Sequence, residues 1–288
     1  GFYGIKNNND FIAWGHAYTN IGHYSNGVYS PNWRTVNNFV EHQTKLTNIV
    51  ECYSTHYANC AINNLGHITC WGGSRQGVMP SSLKNIFNTR TFVNVATTDT
   101  CFAAIDTNGG VIAFGESNVY TDTGGQWRDI SGEVEANITR IAATDYEFMC
   151  LRNDNVAIGI HGNSTDYYGI DFSNNDIRTS SSQQIHLPPS QYITGRYKLK
   201  DIKDIFSHRY GFAAITTDNQ VICWGHKENY YVTDIDYTKI HGGDLSGNEE
   251  DGTRPIALFT NGHCWACLKE DETVVTWEGT SYRTNGSY

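Results

Sequence analysis

The chain contains the stretch Cys52-Tyr-Ser-Thr-His-Tyr-Ala-Asn-Cys-Ala-Ile62, and Trp71-Gly72 follows nine residues later. The same frame returns along the chain, and its closing aliphatic residue falls at Ile5, Ile62, Ile105, Leu151, Ile215 and Leu268. The steps between these six anchors are 57, 43, 46, 64 and 53 residues. A period near 50 residues indicates an array of one supersecondary unit.

The repeated unit has the pattern of antiparallel strands. Apolar and polar residues alternate in Phe212-Ala-Ala-Ile215 and Val221-Ile-Cys-Trp224, which predicts strands rather than a helix. The fourth residue after each anchor is Asn9, Gly66, Gly109, Asn155, Asn219 or Glu272, and five of these six tolerate the positive φ of a tight hairpin. A further strand precedes each hairpin, and the spacer has room for a fourth. In two copies the glycine of the Trp-Gly position comes one residue later than in the frame, at Gly162 and Gly279, and we expect an irregular strand there.

The frame resembles a known repeat. The frame resembles the RCC1-type (regulator of chromosome condensation) repeat in the order of its parts: an aliphatic residue, a His or aromatic residue, Ala, the anchor, a polar turn and Val-x-x-Trp-Gly. The segment Trp71-Gly-Gly-Ser-Arg-Gln-Gly77 is similar to the segment with which a blade of that repeat usually ends. The resemblance implies an all-β, RCC1-like β-propeller with six to seven blades of about four antiparallel strands. We expect one domain over 1–288, with blade cores near 1–15, 49–72, 92–115, 138–162, 202–225 and 255–279 and a long insertion at about 161–199.

The charge balance argues against a nucleic-acid partner. The 288 residues carry 20 Lys and Arg against 30 Asp and Glu, which gives a formal net charge of −10. Affinity for a phosphate backbone depends largely on Lys and Arg, so we expect no nucleic-acid partner.

No apolar run approaches the roughly 20 residues that cross a bilayer, so we expect no membrane insertion either.

Eight cysteines and three glycosylation triplets bear on the setting of the protein. Cys60 and Cys70 lie symmetrically about a turn centred on residue 65, where opposed strand positions bring a pair within disulfide reach. The alternative is that all eight are small buried hydrophobic residues. The triplets make Asn137, Asn163 and Asn285 glycosylation candidates. Together these features favour an extracellular or luminal setting.

The sequence gives no positive sign of catalysis. Cys264 and Cys267 are three apart on one predicted strand, so they point to opposite faces and are poorly placed for a shared metal. The acidic, glycine-rich segment 234–251 offers loop oxygens for calcium, but it lacks EF-hand spacing, and a solvated loop is the favoured interpretation. We therefore assign no catalytic residue, no metal and no cofactor.

The positions five residues before the anchors, at the turn from the first to the second strand, predict a partner-binding surface. In a propeller these turns emerge on one face, and aromatic side chains there form binding hot spots. The predicted binding residues are Tyr57, Tyr146, Tyr210 and His263, together with His56, Arg209 and Asp145 beside them. Thr100 occupies the remaining turn. The resemblance supports this choice, because aromatic residues at this turn contact the target in the propeller-type β-lactamase inhibitor protein, a secreted member of the family.

These features predict a non-enzymatic, secreted or surface-exposed propeller that binds a protein or glycan through an aromatic ring on one face. The family implies one alternative, a guanine-nucleotide exchange factor for a small GTPase. A structural component of an extracellular assembly is a third interpretation.

Overall fold

The computed structural model describes part of the chain. The described residues are 2–5, 11–14, 24–25, 28–29, 48–55, 58–72, 83–99, 101–115, 127–129, 135–145, 147–161, 185–186, 190–195, 198–209, 211–226, 240–241, 244–247, 250, 252–261 and 264–278. Contacts group the chain into two compact units, residues 1–137 and 138–288. Each unit is described by itself.

The first unit is built from short antiparallel strands. Its elements are β1 (Phe2–Ile5), β2 (Phe11–Trp14), β3 (Tyr24–Ser25), β4 (Val28–Tyr29), β5 (Ile49–Ser54), β6 (Ala58–Asn63), β7 (Ile68–Gly72), helix α1 (Leu83–Thr89), β8 (Phe92–Thr97), β9 (Cys101–Asp106), β10 (Val111–Gly115) and β11 (Trp127–Asp129). Strands β5-β6-β7 form sheet I, and β8-β9-β10-β11 form sheet II. β1-β2 and β3-β4 are two-stranded hairpins.

The second unit repeats this design in three sheets of four or five strands. Its strands are β12 (Ile138–Ala143), β13 (Glu147–Arg152), β14 (Ala157–His161), β15 (Ile185–His186), β16 (Ile193–Gly195), β17 (Lys198–Leu199), β18 (Ile202–His208), β19 (Gly211–Thr216), β20 (Val221–His226), β21 (Ile240–His241), β22 (Pro255–Thr260), β23 (Cys264–Lys269) and β24 (Val274–Glu278). Sheet III has the order β12-β13-β14-β17-β16, sheet IV β15-β20-β19-β18, and sheet V β21-β24-β23-β22.

Spacer segments complete the sheets, as the sequence predicted. β11, β15 and β21 each add a fourth strand beside the third strand of sheets II, IV and V. β15, β16 and β17 all come from the predicted insertion at 161–199, so the described part of that segment is built into sheets III and IV.

The hairpin between the second and third strands has the predicted backbone. Positive φ values occur at Gly66 (76°), Gly109 (74°), Asn155 (64°), Asn219 (61°) and Glu272 (66°). The predicted equivalent Asn9 lies outside the described residues. Asn and Gly accept this conformation at low cost, whereas Glu272 adopts it with a full side chain.

The sequence predicted irregular strands at Gly162 and Gly279, which lie outside the described residues. The pairing of β13 with β14 is regular through Ile160, and that of β23 with β24 is regular through Trp277. The register shifts at the start of the first strand in all five sheets, at Ile49/Glu51, Phe92/Asn94, Ile138/Arg140, Ile202/Asp204 and Pro255/Ala257. A bulge at this point increases the local twist of the first strand.

Neighbouring sheets pack face to face, and a residue from the spacer completes each core. Phe87 of α1 packs between sheets I and II, and its ring centroid lies 5.2 Å from that of Phe92 and 5.1 Å from that of Phe114. Tyr192 has the same role between sheets III and IV, and Leu245 between sheets IV and V. The spacers therefore contribute to the cores as well as to the sheet edges.

Main-chain hydrogen bonds also join consecutive sheets. The carbonyl of Gly66, in the hairpin of sheet I, accepts from the N–H of Phe92 at 2.8 Å, and the carbonyl of Asn155 in sheet III accepts from Ile202 at 2.9 Å. In sheet IV, the carbonyl of Asn219 accepts from the N–H of Gly247 at 3.3 Å. The left-handed residue of each of these hairpins thus places its carbonyl where a backbone N–H from the following sheet, or from the spacer before it, donates a hydrogen bond.

Candidate functional site

The predicted binding residues belong to the turns between first and second strands, which we call the corner turns. Asp99, Asp145 and Arg209 are the described residues at the start of three of these turns. His56, Tyr57, Tyr146, Tyr210 and His263 lie outside the described residues, so their part in the site stays a prediction. The hairpins between second and third strands lie at the opposite end of each sheet.

The residues that flank the corner turns are joined by backbone and side-chain hydrogen bonds together. Thr98 donates its N–H to the carbonyl of Cys101 at 2.9 Å, and its Oγ1 accepts from the N–H of Cys101 at 3.0 Å. Thr144 makes the same two bonds with Glu147, at 2.9 and 3.0 Å. Two residues separate the members of each pair, so these bonds join the residues that flank a two-residue connection.

Sheet V closes its corner turn with a different side chain. Asn261 donates its N–H to the carbonyl of Cys264 at 3.3 Å, and its Oδ1 accepts from the N–H of Cys264 at 2.9 Å. Asn and Thr are the residues whose short polar side chains bond to nearby backbone in this way. Sequence reasoning did not use this position, although Thr55, Thr98, Thr144 and Asn261 recur there in the frame.

The corner turns of sheets III and IV contact each other directly. Asp145 donates its N–H to the carbonyl of Arg209 at 2.9 Å, and Nε of Arg209 lies 2.5 Å from Oδ2 of Asp145. The Asp145 side chain is 19% exposed and that of Arg209 is 58% exposed. The sequence predicted both residues as partner contacts, which stays a prediction, and the structure shows that they bind each other.

A second ion pair joins the same two sheets. Nη1 of Arg140 lies 2.6 Å from both carboxylate oxygens of Asp204, and the Arg140 guanidinium carbon lies 4.9 Å from the ring centroid of Phe206. Both pairs connect residues 64 apart, which is the step between these two copies of the repeat. Equivalent positions of sheets III and IV are therefore in contact along the first strand and at the corner turn.

One of the three glycosylation candidates lies in the described part of the chain. Asn137 is exposed and precedes β12, with a φ of 55°. Asn48 and Asp201 stand at the same place in sheets I and IV with φ values of 56° and 62°. The backbone thus gives Asn137 a conformational role, whether or not it is modified. Asn163 and Asn285 lie outside the described residues.

The described part of the acidic segment 234–251 is held by a lysine. Lys269 is buried, and its Nζ donates to the carbonyls of Asp244 and Ser246 at 3.1 and 2.9 Å. The backbone N–H and then the hydroxyl of Ser246 hold the pKa of Asp244 below its ordinary value. The ammonium group therefore occupies two loop oxygens of the kind that a calcium ion uses.

The described residues contain neither a cluster of metal ligands nor a long apolar helix. Within these ranges, no three His, Cys, Asp or Glu side chains are grouped as metal ligands. No helix in the described part of the chain has the length and apolar character of a membrane span.

Comparisons with known proteins show the fold. No protein-family model matches the sequence, and no curated protein matches it significantly. The structure is similar to yeast RCC1 (Prp20) in its crystal structure with Kap60, with a TM-score of 0.52 and 13% identity over 79% of this chain and 55% of that one.

Two more solved structures give the same result. Prp20p from Saccharomyces cerevisiae, described with its binding properties to Gsp1p and histones, matches with a TM-score of 0.51 and 14% identity over 79% of this chain and 56% of that one. Human WBSCR16 matches with a TM-score of 0.53 and 14% identity over 94% of this chain and 68% of that one. The chain spans little more than half the length of the two yeast structures. The described antiparallel sheets and these matches together show that this is an all-β protein with an RCC1-like β-propeller fold.

Proposed function

We propose that this protein is a non-enzymatic interaction module that binds a protein or glycan partner through its corner turns. One observation carries the proposal. The corner turns of sheets III and IV are joined by the hydrogen bond and ion pair between Asp145 and Arg209, so these two turns lie side by side. Tyr146 and Tyr210 are the next residues in the sequence after this pair.

The chemistry of the turns supports a recognition role. Tyrosine provides a large contact area at low entropic cost, with a hydroxyl that finds a hydrogen-bond partner, and such residues dominate binding hot spots. The side-chain and main-chain bonds at Thr98, Thr144 and Asn261 join the residues on either side of the turns before a partner arrives. A preorganised surface loses less entropy on binding.

We further propose an extracellular or luminal setting, in the manner of the secreted propellers that the sequence resembles. The three glycosylation triplets and the low content of Lys and Arg support this setting. Secretion of the tagged full chain, followed by endoglycosidase treatment, tests it. A mass shift that disappears in Asn137→Gln would place a glycan at the exposed candidate, and absence of any shift on all three triplets would contradict the setting.

The binding role is tested by removing the tyrosine rings. We expect the triple variant Tyr57→Ala, Tyr146→Ala, Tyr210→Ala to lose capture of partners by the immobilised chain, on protein pull-down or glycan array, while its melting temperature stays near that of the parent. The matched control is Asn153→Ala with Thr217→Ala, since both residues are exposed at the hairpin end of the same sheets. Loss of folding with retained capture would show that the tyrosines are packing residues.

The alternatives make different predictions. Exchange activity, which the likeness to RCC1 keeps as a second candidate, requires the chain to accelerate release of a fluorescent nucleotide from a small GTPase. A structural component requires concentration-dependent assembly in sedimentation experiments. Acceleration that survives the tyrosine substitutions would favour exchange over the proposed recognition surface.

A further inference from the structure

Two buried cysteines face each other across the hairpin of sheet I. Cys60 of β6 is the register partner of Cys70 of β7, and both side chains are 0% exposed. Both residues carry thiols in this structure, and the Cys60 thiol is hydrogen-bonded to that of Cys70. The pair therefore lies side by side in the core between sheets I and II.

The hairpin hydrogen bonds show which kind of strand pair these cysteines form. Asn63 donates its N–H to the carbonyl of His67 at 3.0 Å, so this pair is hydrogen-bonded. Hydrogen-bonded and non-hydrogen-bonded pairs alternate along an antiparallel ladder. The pairs Ile62 with Ile68, Ala61 with Thr69 and Cys60 with Cys70 follow in order without a register shift. The cysteines are thus a non-hydrogen-bonded pair, in which the Cα atoms approach most closely and a disulfide is sterically accessible.

We propose that Cys60 and Cys70 are joined by a disulfide that forms while the chain folds, before sheet I packs against sheet II. The oxidant is a small-molecule disulfide of the glutathione type. One cysteine thiolate attacks a sulfur of the oxidant, which releases one small thiol and leaves a mixed disulfide. The second cysteine thiolate then attacks the protein sulfur of that mixed disulfide and releases the second small thiol. The two protein protons end on the two released thiols, and the oxidant takes up the two electrons.

Burial sets the order of events. In the folded chain both sulfurs are covered by the core that contains Phe92, Phe102 and Phe114, which leaves no path for the oxidant. Burial, and then the hydrogen bond to Cys70, raise the pKa of the Cys60 thiol. Because the thiolate is the attacking species, the folded reduced protein should react slowly. In the unfolded chain both obstacles are absent.

The bridge should stabilise the first unit. It closes a loop of about ten residues and removes conformations from the unfolded chain, which for a chain of this length corresponds to a rise in melting temperature on the order of 5 °C. The short loop also favours rapid closure in the unfolded chain.

The test compares two routes to oxidation. Fully reduced chain is either refolded from denaturant in a glutathione redox buffer or first folded under reduction and then placed in the same buffer. The remaining thiols are then alkylated, and the protein is digested with trypsin. Mass spectrometry gives the mass and fragments of the peptide from Leu46 to Arg75, which contains Cys52, Cys60 and Cys70. We expect the refolded sample to carry one alkyl group on Cys52 and a link between Cys60 and Cys70. The folded sample should acquire this link at least tenfold more slowly.

Controls separate this bridge from general cysteine oxidation. Cys150 and Cys267 are equally buried on second strands, but their register partners are Ile141 and Ile158, and Leu258 and Val275, so they should stay reduced. The double variant Cys60→Ala, Cys70→Ala should show no difference in melting temperature between oxidising and reducing buffer. If Cys60 and Cys70 are both alkylated after oxidative refolding, the proposed disulfide is wrong. If the link forms at equal rates in the refolding and the folded sample, the proposal that it forms before sheet I packs against sheet II is wrong.

Discussion

Asp145 and Arg209 bind each other through both main chain and side chain, although 64 residues separate them. The backbone bond is independent of residue type, whereas the ion pair needs both charges. Since the Arg209 side chain is 58% exposed, solvent and salt weaken the charge interaction. The side-chain pair should therefore contribute modestly to stability, while the backbone bond keeps the two turns together.

A double-mutant cycle measures the ion pair. We expect Asp145→Asn and Arg209→Gln to show a coupling energy of about 0.2–1 kcal/mol in urea unfolding, and less at high salt. The control is a parallel cycle with Arg140→Gln and Asp204→Asn, in which the carboxylate is held by two bonds and should give the larger coupling. A coupling above 3 kcal/mol at Asp145 and Arg209 would contradict this account.

Gly66 is needed for its φ and for the space it leaves. A Cβ at this position would lie 2.5 Å from Cγ2 of Thr91 and 2.8 Å from the carbonyl oxygen of Phe92. We expect Gly66→Ala to lower the free energy of unfolding by about 2–3 kcal/mol, from backbone strain together with displaced packing.

Gly252 is the matched control for this change. Its φ is 69°, yet a Cβ there meets no atom within 4 Å. Gly252→Ala should cost only the left-handed strain, about 1 kcal/mol. Equal losses in the two variants, measured by chemical denaturation, would show that the contacts with Thr91 and Phe92 relax without cost.

Glu272 is the exception among the hairpin residues. It is exposed and has a φ of 66°, where its equivalents are Gly or Asn. We expect Glu272→Gly to raise the free energy of unfolding by about 0.5–1 kcal/mol, because glycine adopts this conformation without strain. Glu272→Ala removes the same carboxylate and keeps the Cβ, so it should give no gain. A similar gain in both variants would assign the effect to charge.

The segment around Asp244 should be sensitive to acid. Hydrogen bonds from Ser246 lower the pKa of Asp244, so its ionised form adds stability above the unfolded pKa, near 4, and this contribution is lost as the pH falls through the folded value. Asp244→Asn keeps an acceptor without the charge. We expect the parent to be more stable than this variant at pH 7, by up to about 0.5 kcal/mol, and the gap to close below about pH 4. A difference in the free energy of unfolding that widens as the pH falls would contradict this prediction.

The hairpins could be predicted because their requirement is local. Gly66, Gly109, Asn155 and Asn219 stand where positive φ is needed, and each is a residue type that tolerates it. The two-residue period identified the strands for a similar reason. These signals are carried by residues within one copy of the repeat, and they survive the variation between copies.

The contacts between copies could not be predicted from the sequence. Phe87, Tyr192 and Leu245 fill equivalent places in three cores, but they differ in size and in distance from the frame. The pairing of Asp145 with Arg209 depends on the packing of two sheets, so the sequence identified both residues without showing that they meet. The expectation of irregular strands at Gly162 and Gly279 stays a prediction, because both glycines lie outside the described residues. The sequence did not predict the bulges at the start of the first strands.

The carbonyl links from Gly66 to Phe92 and from Asn155 to Ile202 use no side-chain atom. A joint made of main chain places little constraint on which amino acids flank it, provided that the turn keeps its handedness. Copies of the module are consequently able to diverge by substitution while their connections persist.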